Sequence, residues 1–205
     1  LANYNFFPKN VLKTYCMPGG ILGGHPDSTR VPGVETSTGS LGHGLSVAVG
    51  FALANKINKN NSRVFCLVGD GECDEGAIWE AVMTAAHHKL NNLTLIIDNN
   101  KLMIGGYTKD ILDPLSFKKK LKAFGWNTLE IDGHNFSDMK KAFGIIPGNN
   151  HRPTAIIADT IKGKGVSFME NQKEWHSMLP DEKQMKQALF ELDECIDRIN
   201  KQLSK

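Results

Sequence analysis

Two short polar clusters carry residue types that could hold a metal ion next to a phosphate group. Gly69-Asp70-Gly71 directly follows one apolar run, and Asp98-Asn99-Asn100 directly follows another. A hard cation such as Mg²⁺ prefers oxygen ligands, which the Asp70 carboxylate and the Asn100 amide can supply. Either cluster alone is typical of a turn, so the hypothesis of a metal site requires the two clusters to lie side by side.

Four apolar runs predict the strands that would carry these clusters. Each run is short and is closed by turn residues, which is typical of strands buried on both faces of a parallel sheet. The runs are Val64–Val68, Leu93–Ile97, Thr128–Ile131 and Ala155–Ala158.

Helical patterns lie between these strands. Apolar residues recur at three- and four-residue spacings from Ile78 to Leu90, and 45–57 is a second, nearly apolar helical segment. The alternation predicts an α/β fold with a mostly parallel sheet, whose strand carboxyl ends share one ligand-binding edge. A helix that begins near Gly76 would direct its N-terminus at an anion there, and the glycines beside Asp70 would let a diphosphate approach the backbone.

Composition excludes several classes of protein. The chain has 205 residues, 22% of them charged, and a net charge of +2, so it is predicted to form one ordinary globular domain without a nucleic-acid surface. No apolar run reaches the length of about 18 residues that a membrane span needs. The four cysteines form no CxxC pair, and the N-terminus lacks the features of a signal peptide, so a reducing, cytoplasmic location is expected.

The C-terminal segment differs from the rest of the chain. After Pro180-Asp181, a helix start signal, apolar residues recur at alternating spacings of four and three. We therefore divide the chain into a binding domain, 1–180, and a C-terminal amphipathic helix, 181–205, which either packs on its own domain or binds a partner. The apolar residues are Met185, Leu189, Leu192, Ile196, Ile199 and Leu203.

Three long segments resemble the transketolase family. GDGECDEGAIWEA (69–81), with Asn100 further on, is similar to the metal loop that characterises thiamine diphosphate enzymes. GGHPDSTRVPGVETSTGSLGHG (23–44) and IKGKGVSFMENQKEWH (161–176) are similar to an upstream cofactor and substrate segment and to the last loop of the same domain. The resemblance covers most of the chain and implies the parallel-sheet α/β fold of a diphosphate-binding domain, with helices on both faces.

The resemblance also implies a set of site residues. The metal, Mg²⁺ or alternatively Ca²⁺ or Mn²⁺, would be held by the side chains of Asp70 and Asn100 and the backbone carbonyl of Leu102. As a loop carboxylate, Asp70 is expected to lie outside the core. The residues that would contact thiamine diphosphate are Gly39, Ser40, Leu41, Gly69, Asp70, Gly71, Asn100, Ile104, Lys162 and His176.

Two histidines are the catalytic candidates that the resemblance implies. His25 matches a histidine that contacts substrate oxygens, and His176 matches one near the diphosphate and the reacting centre. Both would hydrogen-bond substrate oxygens and move protons. Glu75 and Glu80 match carboxylates at the family's subunit interface, although acidic residues near a helix start also have a purely local explanation.

The activity implied is transfer of a two-carbon ketol unit from a ketose phosphate to an aldose, as in the pentose phosphate pathway. The family completes its active site with a second domain, so the resemblance is to the N-terminal subunit of a split transketolase. A separately encoded C-terminal subunit is expected, in a heterotetramer. Two alternatives are a subunit of a 2-oxo-acid dehydrogenase type of enzyme and a non-catalytic interaction domain.

Overall fold

The centre of the protein is a parallel β-sheet. The structure, a computed structural model, describes residues 1–148 and 151–203, with only the backbone of residue 203. The strands are β1 (Val64–Gly69), β2 (Leu93–Asn99), β3 (Leu102–Met103), β4 (Gly106–Tyr107), β5 (Asn127–Asp132) and β6 (Thr154–Asp159). The sheet has the order β1-β2-β6-β5 with all neighbours parallel, and β3 and β4 form a small antiparallel hairpin. The predicted α/β fold is confirmed, and each of the four predicted strands is present.

Helices fill the connections between the strands. The predicted helix after Ile78 begins at Gly76 and ends at His87, so Leu90 lies beyond it as a buried loop residue. Periodicity did not identify the shorter helices or the hairpin. The helices are α1 (His43–Ile57), α2 (Gly76–His87), α3 (Thr108–Ile111), α4 (Phe117–Ala123), α5 (Phe136–Gly144) and α6 (Glu182–Leu203).

Both faces of the sheet carry helices, as expected. Alternate strand residues such as Cys66 and Leu95 point to the face covered by α1, α2 and α4, where they form the main core. The intervening residues, such as Ile156 and Leu129, pack on the other face against Ala142 of α5. Two-sided burial explains why these strands read as continuous apolar runs rather than as alternating ones.

The second face remains open at the edge strand β1. Phe65 is 44% exposed and Leu67 is 68% exposed, although both are apolar residues within a strand. The nearest ring of α5, that of Phe143, lies 6.0 Å from the ring of Phe65, and α5 does not cover Leu67. The exposed Leu67 side chain therefore contributes to the surface beside the carboxyl edge of the sheet.

Strand register places the two polar clusters side by side. Gly69, the last residue of β1, pairs with Asp98 of β2, and Asp98 pairs with Ala158 of β6. Because the strands are parallel, the loops that follow all three residues leave the same edge of the sheet at the same level. The predicted edge for ligand binding is thus assembled from three consecutive strand ends.

Helix α6 begins as expected but does not pack through its apolar stripe. Asp181 accepts a hydrogen bond from Gln184 N at 2.8 Å, and Gln184 Oε1 accepts one from Asp181 N at 3.0 Å, which is a capping box. The α6 residues that are least exposed are Gln184, Ala188, Glu191 and Cys195. They lie about a quarter turn around the helix from its line of regularly spaced apolar residues.

The apolar stripe of α6, which we define as Met185, Leu189, Leu192, Ile196 and Ile199, is exposed over 41–54% of each side chain. The side chain of Leu203 and residues 204–205 lie outside the part of the chain that the structure describes. No helix in that part is both long and apolar enough to cross a bilayer.

These burial differences lead to a stability prediction. Leu95→Ala removes a side chain with no exposed surface from the main core and should lower the free energy of unfolding by about 2–5 kcal/mol. Leu189→Ala, on the exposed stripe, should change it by no more than about 0.5 kcal/mol in the isolated chain. Urea denaturation followed by circular dichroism measures both, and an equal loss for the two variants would show that the stripe packs on its own domain.

Candidate functional site

Asp70 lies at the carboxyl end of β1 and is only 1% exposed. Its Oδ1 accepts a hydrogen bond from Gly71 N at 2.9 Å, and its Oδ2 accepts one from Lys101 N at 2.6 Å. Its own backbone N–H donates to the carbonyl of Asp98 at 3.1 Å. The expectation that this carboxylate lies outside the core is therefore wrong, because Asp70 joins the loops after β1 and β2 through backbone hydrogen bonds.

The environment of Asp70 suits a cation. Burial raises the pKa of the Asp70 carboxyl, the backbone N–H groups of Lys101 and Gly71 oppose that rise, and nearby Asp98 adds to it. An ionised carboxylate at this depth gains from a positive charge close by. Each carboxylate oxygen accepts one N–H and keeps a further lone pair for another partner. The donor set therefore fits a divalent cation.

Asn100 is held next to Asp70 in a defined orientation. Its Oδ1 accepts a hydrogen bond from Leu102 N at 3.0 Å, while its Nδ2 donates to Asp98 Oδ2 at 3.3 Å. The donation to a carboxylate fixes which amide atom is the oxygen, and that oxygen keeps a second lone pair. Leu102, whose carbonyl is the third candidate ligand, is a buried residue of β3 and lies two positions after Asn100.

The candidate metal ligands therefore come from one carboxylate, one amide and one backbone carbonyl. Such a set contains too few acidic or imidazole groups to form a cluster of three or more, and the described residues contain no cluster of that kind. Oxygen-only sets of this type suit Mg²⁺ and Ca²⁺ rather than zinc.

The two glycines beside Asp70 have different roles. A Cβ at Gly69 would meet no atom within 4 Å, so this position leaves open space for a ligand. A Cβ at Gly71 would lie 3.0 Å from Met103 Cε, so Gly71 makes room for the β3–β4 hairpin instead. The expectation that both glycines line a diphosphate stays a prediction, and the open space at Gly69 is compatible with it.

The upstream segment forms a cavity of about 330 Å³ beside β1. It brings together His25, Gly39, Ser40 and Leu41, with Leu67 in its wall. Gly39 has a φ of 124°, and a Cβ there would lie 2.6 Å from Cγ of His25, so the imidazole packs directly on the glycine backbone. The absent side chain at Gly39 thus sets the position of the first catalytic candidate.

A second cavity, of about 340 Å³, adjoins the first across Leu67. It is lined by Asp98 at the end of β2 and by Asn100, Thr160 and Lys162 from the loops at the same edge of the sheet. A lysine here can neutralise an anion that lies between the metal loop and the last loop. The structure thus brings the predicted lysine to the predicted metal edge.

Of the predicted residues that line neither cavity, Ile104 and His176 are exposed at the surface. Ile104 is 72% exposed at the turn of the β3–β4 hairpin, and His176 is exposed in the 3₁₀ helix Lys173–His176. Lys173 Nζ donates to the carbonyl of Gly105 at 3.3 Å, so this 3₁₀ helix contacts the hairpin. His176 and Ile104 therefore belong to neighbouring surface elements, whereas His25 lies in the upstream cavity.

Sequence reasoning missed residues that hold the site together. Glu72 accepts hydrogen bonds from Gly42 N at 3.0 Å and from Gly69 N at 3.3 Å, which ties the upstream segment to the metal loop. Asp98 accepts from Asn100 and from the hydroxyl of Thr160. Glu72 and Asp98 lie within sequence segments already identified above. The spacing of residues in the sequence does not reveal that Glu72 bonds to the backbone of Gly42 or that Asp98 bonds to Thr160.

Comparison with known proteins agrees with this arrangement. The family described as "Transketolase, thiamine diphosphate binding domain" matches residues 4–192. One of the subunits of the apulose-4-phosphate transketolase of Phocaeicola vulgatus is 42% identical over 197 residues, which are 96% of this chain and 70% of that protein. The 6-deoxy-6-sulfo-D-fructose transketolase subunit SqwG of Clostridium sp. is 42% identical over 195 residues, 94% of this chain and 70% of that protein.

Solved structures show the same fold. The crystal structure of transketolase from Campylobacter jejuni superposes with a TM-score of 0.82 at 33% identity, over 87% of this chain but only 29% of that one. The chain thus corresponds to less than a third of that transketolase and to about 70% of the two transketolase subunits named above. The chain belongs to the transketolase family, of which it is a thiamine diphosphate binding domain.

Proposed function

We propose that this chain is the cofactor- and metal-binding subunit of a two-subunit transketolase that moves a two-carbon ketol unit from a ketose phosphate to an aldose. The observation that carries the proposal is the buried Asp70 carboxylate beside Asn100, at the edge of the sheet onto which the His25 and Lys162 cavities open. Relatives that are themselves named as single subunits of transketolases support both the reaction and the need for a second chain.

Each candidate residue has a distinct task in this proposal. Asp70, Asn100 and the Leu102 carbonyl would hold Mg²⁺, and Lys162 would neutralise the diphosphate. Thiamine diphosphate, when bound, supplies a nucleophilic carbon and an electron sink for breaking and forming carbon–carbon bonds. Gly39, Ser40, Leu41 and Ile104 would bound the cofactor rings.

The two catalytic candidates would act on substrate oxygens. His25, held against Gly39, would hydrogen-bond the sugar hydroxyl and carbonyl oxygens from the upstream cavity. His176 would serve the same oxygens or the diphosphate from the last loop. Because both imidazoles are exposed in this chain, we infer that the second subunit closes the site over them and excludes water.

The cysteines support a reducing compartment, and we infer the cytoplasm. All four cysteines are free thiols. Burial raises the pKa of the Cys66 thiol to about 11 and raises that of Cys73 further, so both remain protonated and unreactive at neutral pH.

The activity has a direct test. The chain mixed with the separately encoded C-terminal subunit, Mg²⁺ and thiamine diphosphate should convert a ketose phosphate and an aldose phosphate into the two-carbon transfer products, measured by mass spectrometry. The chain alone should be inactive. A sulfonated ketose belongs in the donor panel because one relative is named for it. Release of CO₂ from a 2-oxo acid without ketol transfer would favour the 2-oxo-acid dehydrogenase type of enzyme instead.

The metal assignment can be tested at Asn100. Asn100→Ala should weaken Mg²⁺-dependent binding of thiamine diphosphate by about 10–100-fold or more in calorimetric titration. Asn99→Ala is the matched control, because Asn99 is the adjacent residue and its Nδ2 donates to Asp159 instead, at 3.3 Å. Asp70→Ala is less informative, because it leaves two backbone N–H groups without their acceptor, at about 1–3 kcal/mol each. Equal binding by the Asn100 and Asn99 variants would contradict the metal site.

The role of His25 can be tested by turnover in the assembled enzyme. His25→Ala should lower kcat by about 10²–10⁴-fold, the usual contribution of a positioned acid or base, and should leave thermal stability unchanged because the imidazole is exposed. His87→Ala, an exposed histidine on α2, is the control. Turnover equal to that of the control would remove His25 from the catalytic residues.

We further propose that the apolar stripe of α6 contacts the second subunit, in a heterotetramer with two copies of each chain. The support is that α6 already packs on its own domain through a different, mostly polar face, while the stripe stays exposed. Residues at alternating four- and three-residue spacing are typical of a helix that packs against another helix. This choice answers the question that the sequence left open between packing and partner binding.

A charge placed on the stripe should weaken the assembly. Ile196→Glu should reduce affinity for the second subunit by about tenfold or more, because a carboxylate would be buried at an apolar contact. Phe190→Glu is the matched control, since Phe190 is a similarly exposed apolar residue on the opposite side of the same helix. Analytical ultracentrifugation measures the two affinities, and an equal effect of both changes would place the interface elsewhere.

A further inference from the structure

The loop that follows β5 is packed tightly against the exit of β6. Gly133 N donates to the carbonyl of Asp159 at 2.8 Å. A Cβ at Gly133 would lie 2.5 Å from Cγ2 of Thr160 and 3.2 Å from Cβ of Ala158. Only a glycine allows the two backbones to come this close, so the β5 loop is seated directly on the segment that leads to Lys162.

His134 extends this contact by one further hydrogen bond. Its Nε2 accepts the backbone N–H of Ile161 at 2.8 Å. The backbone N–H of His134 donates to Asp132 Oδ1 at 2.8 Å, which fixes the turn on which the imidazole stands. The proposed chemistry has not used His134.

Thr160, the residue before Ile161, is hydrogen-bonded to the end of β2. Thr160 donates its hydroxyl to Asp98 Oδ1, and its backbone N–H donates to the carbonyl of Asn99 at 3.3 Å. Asp98 in turn accepts from Asn100 Nδ2. Residues 159–161 are therefore held from one side by the loop after β2 and from the other side by the loop after β5.

We propose that His134 is a positioning residue for the cofactor. Its bond to Ile161 N fixes the backbone immediately before Lys162, and so holds that lysine over the cavity that also contains Asn100 and His134 itself. The bond lies two residues before Gly163, whose φ is 75°. The inference rests on the proposed function, because it assigns a task to Lys162 in diphosphate binding.

Three substitutions separate positioning from a general structural role. His134→Ala removes the acceptor. His134→Gln places an amide oxygen where Nε2 lies, whereas His134→Asn is too short to reach the Ile161 N–H. His87→Ala is the control for loss of an exposed histidine. All four variants should retain the circular dichroism spectrum of the wild type.

The first readout needs no cofactor. Hydrogen exchange at the Ile161 amide should be about three- to tenfold faster in His134→Ala and His134→Asn than in the wild type, and His134→Gln should restore the protection. Exchange at Ile161 that is unchanged in His134→Ala would overturn the proposal.

The second readout is the Kd of thiamine diphosphate, measured with Mg²⁺ and the C-terminal subunit. The binding should weaken about three- to tenfold in His134→Ala and His134→Asn and recover in His134→Gln. Equal Kd values in the wild type and His134→Ala would overturn this proposal alone. No binding by the wild-type assembly would overturn the proposed function and this inference with it, while the exchange data would still report whether His134 anchors the loop.

Discussion

The site depends on one buried carboxylate. Asp70 accepts backbone hydrogen bonds from Gly71 and Lys101 and so joins the loops that follow two adjacent strands. An ionised group at this depth is unfavourable unless hydrogen bonds and an opposite charge compensate it. The two backbone N–H donors offset part of the cost of burying the charged carboxylate, and a divalent cation would offset the rest. The same residue therefore contributes to the fold of the chain and is the carboxylate ligand in the proposed metal site.

The loops around this carboxylate are connected to one another rather than only to the sheet. Glu72 binds the backbone of the upstream segment, Asp98 binds Asn100 and Thr160, and His134 binds the backbone at Ile161. Loops held only at their ends move more easily than loops that are also held to their neighbours. These bonds make the edge of the sheet a preorganised surface, which lowers the entropy lost when a charged ligand binds.

Two apolar surfaces of this chain are exposed to solvent. Leu67 beside the two cavities and the stripe of α6 are apolar and exposed, although the main core is closed by α1, α2 and α4. The proposed interface to a second subunit would account for the exposed α6 stripe. It would also cover the two catalytic candidates, His25 and His176, which are open to solvent in this chain.

The sequence by itself determined the architecture and the edge of the sheet at which two polar clusters meet. Two-sided apolar runs and helical periodicity predicted the parallel sheet, and the Asp70 and Asn100 clusters predicted its functional edge, because these signals are local. The predictions for Leu90 in a helix and for Asp70 outside the core were wrong, and the hairpin after Asn100 was missed. Each of these depends on neighbours far away in the chain, which periodicity does not report.

Only the tertiary structure decided how the pieces are held. It showed that Met103 of the hairpin packs close to Gly71, that Glu72, Asp98 and His134 tie the loops together, and that α6 packs through its polar face. The physical reason is that hydrogen bonds to distant backbone groups and the choice of packed helix face depend on the three-dimensional arrangement of the strands. Residue type and spacing indicate which interactions a side chain is able to make, and the fold determines which groups lie close enough to make them.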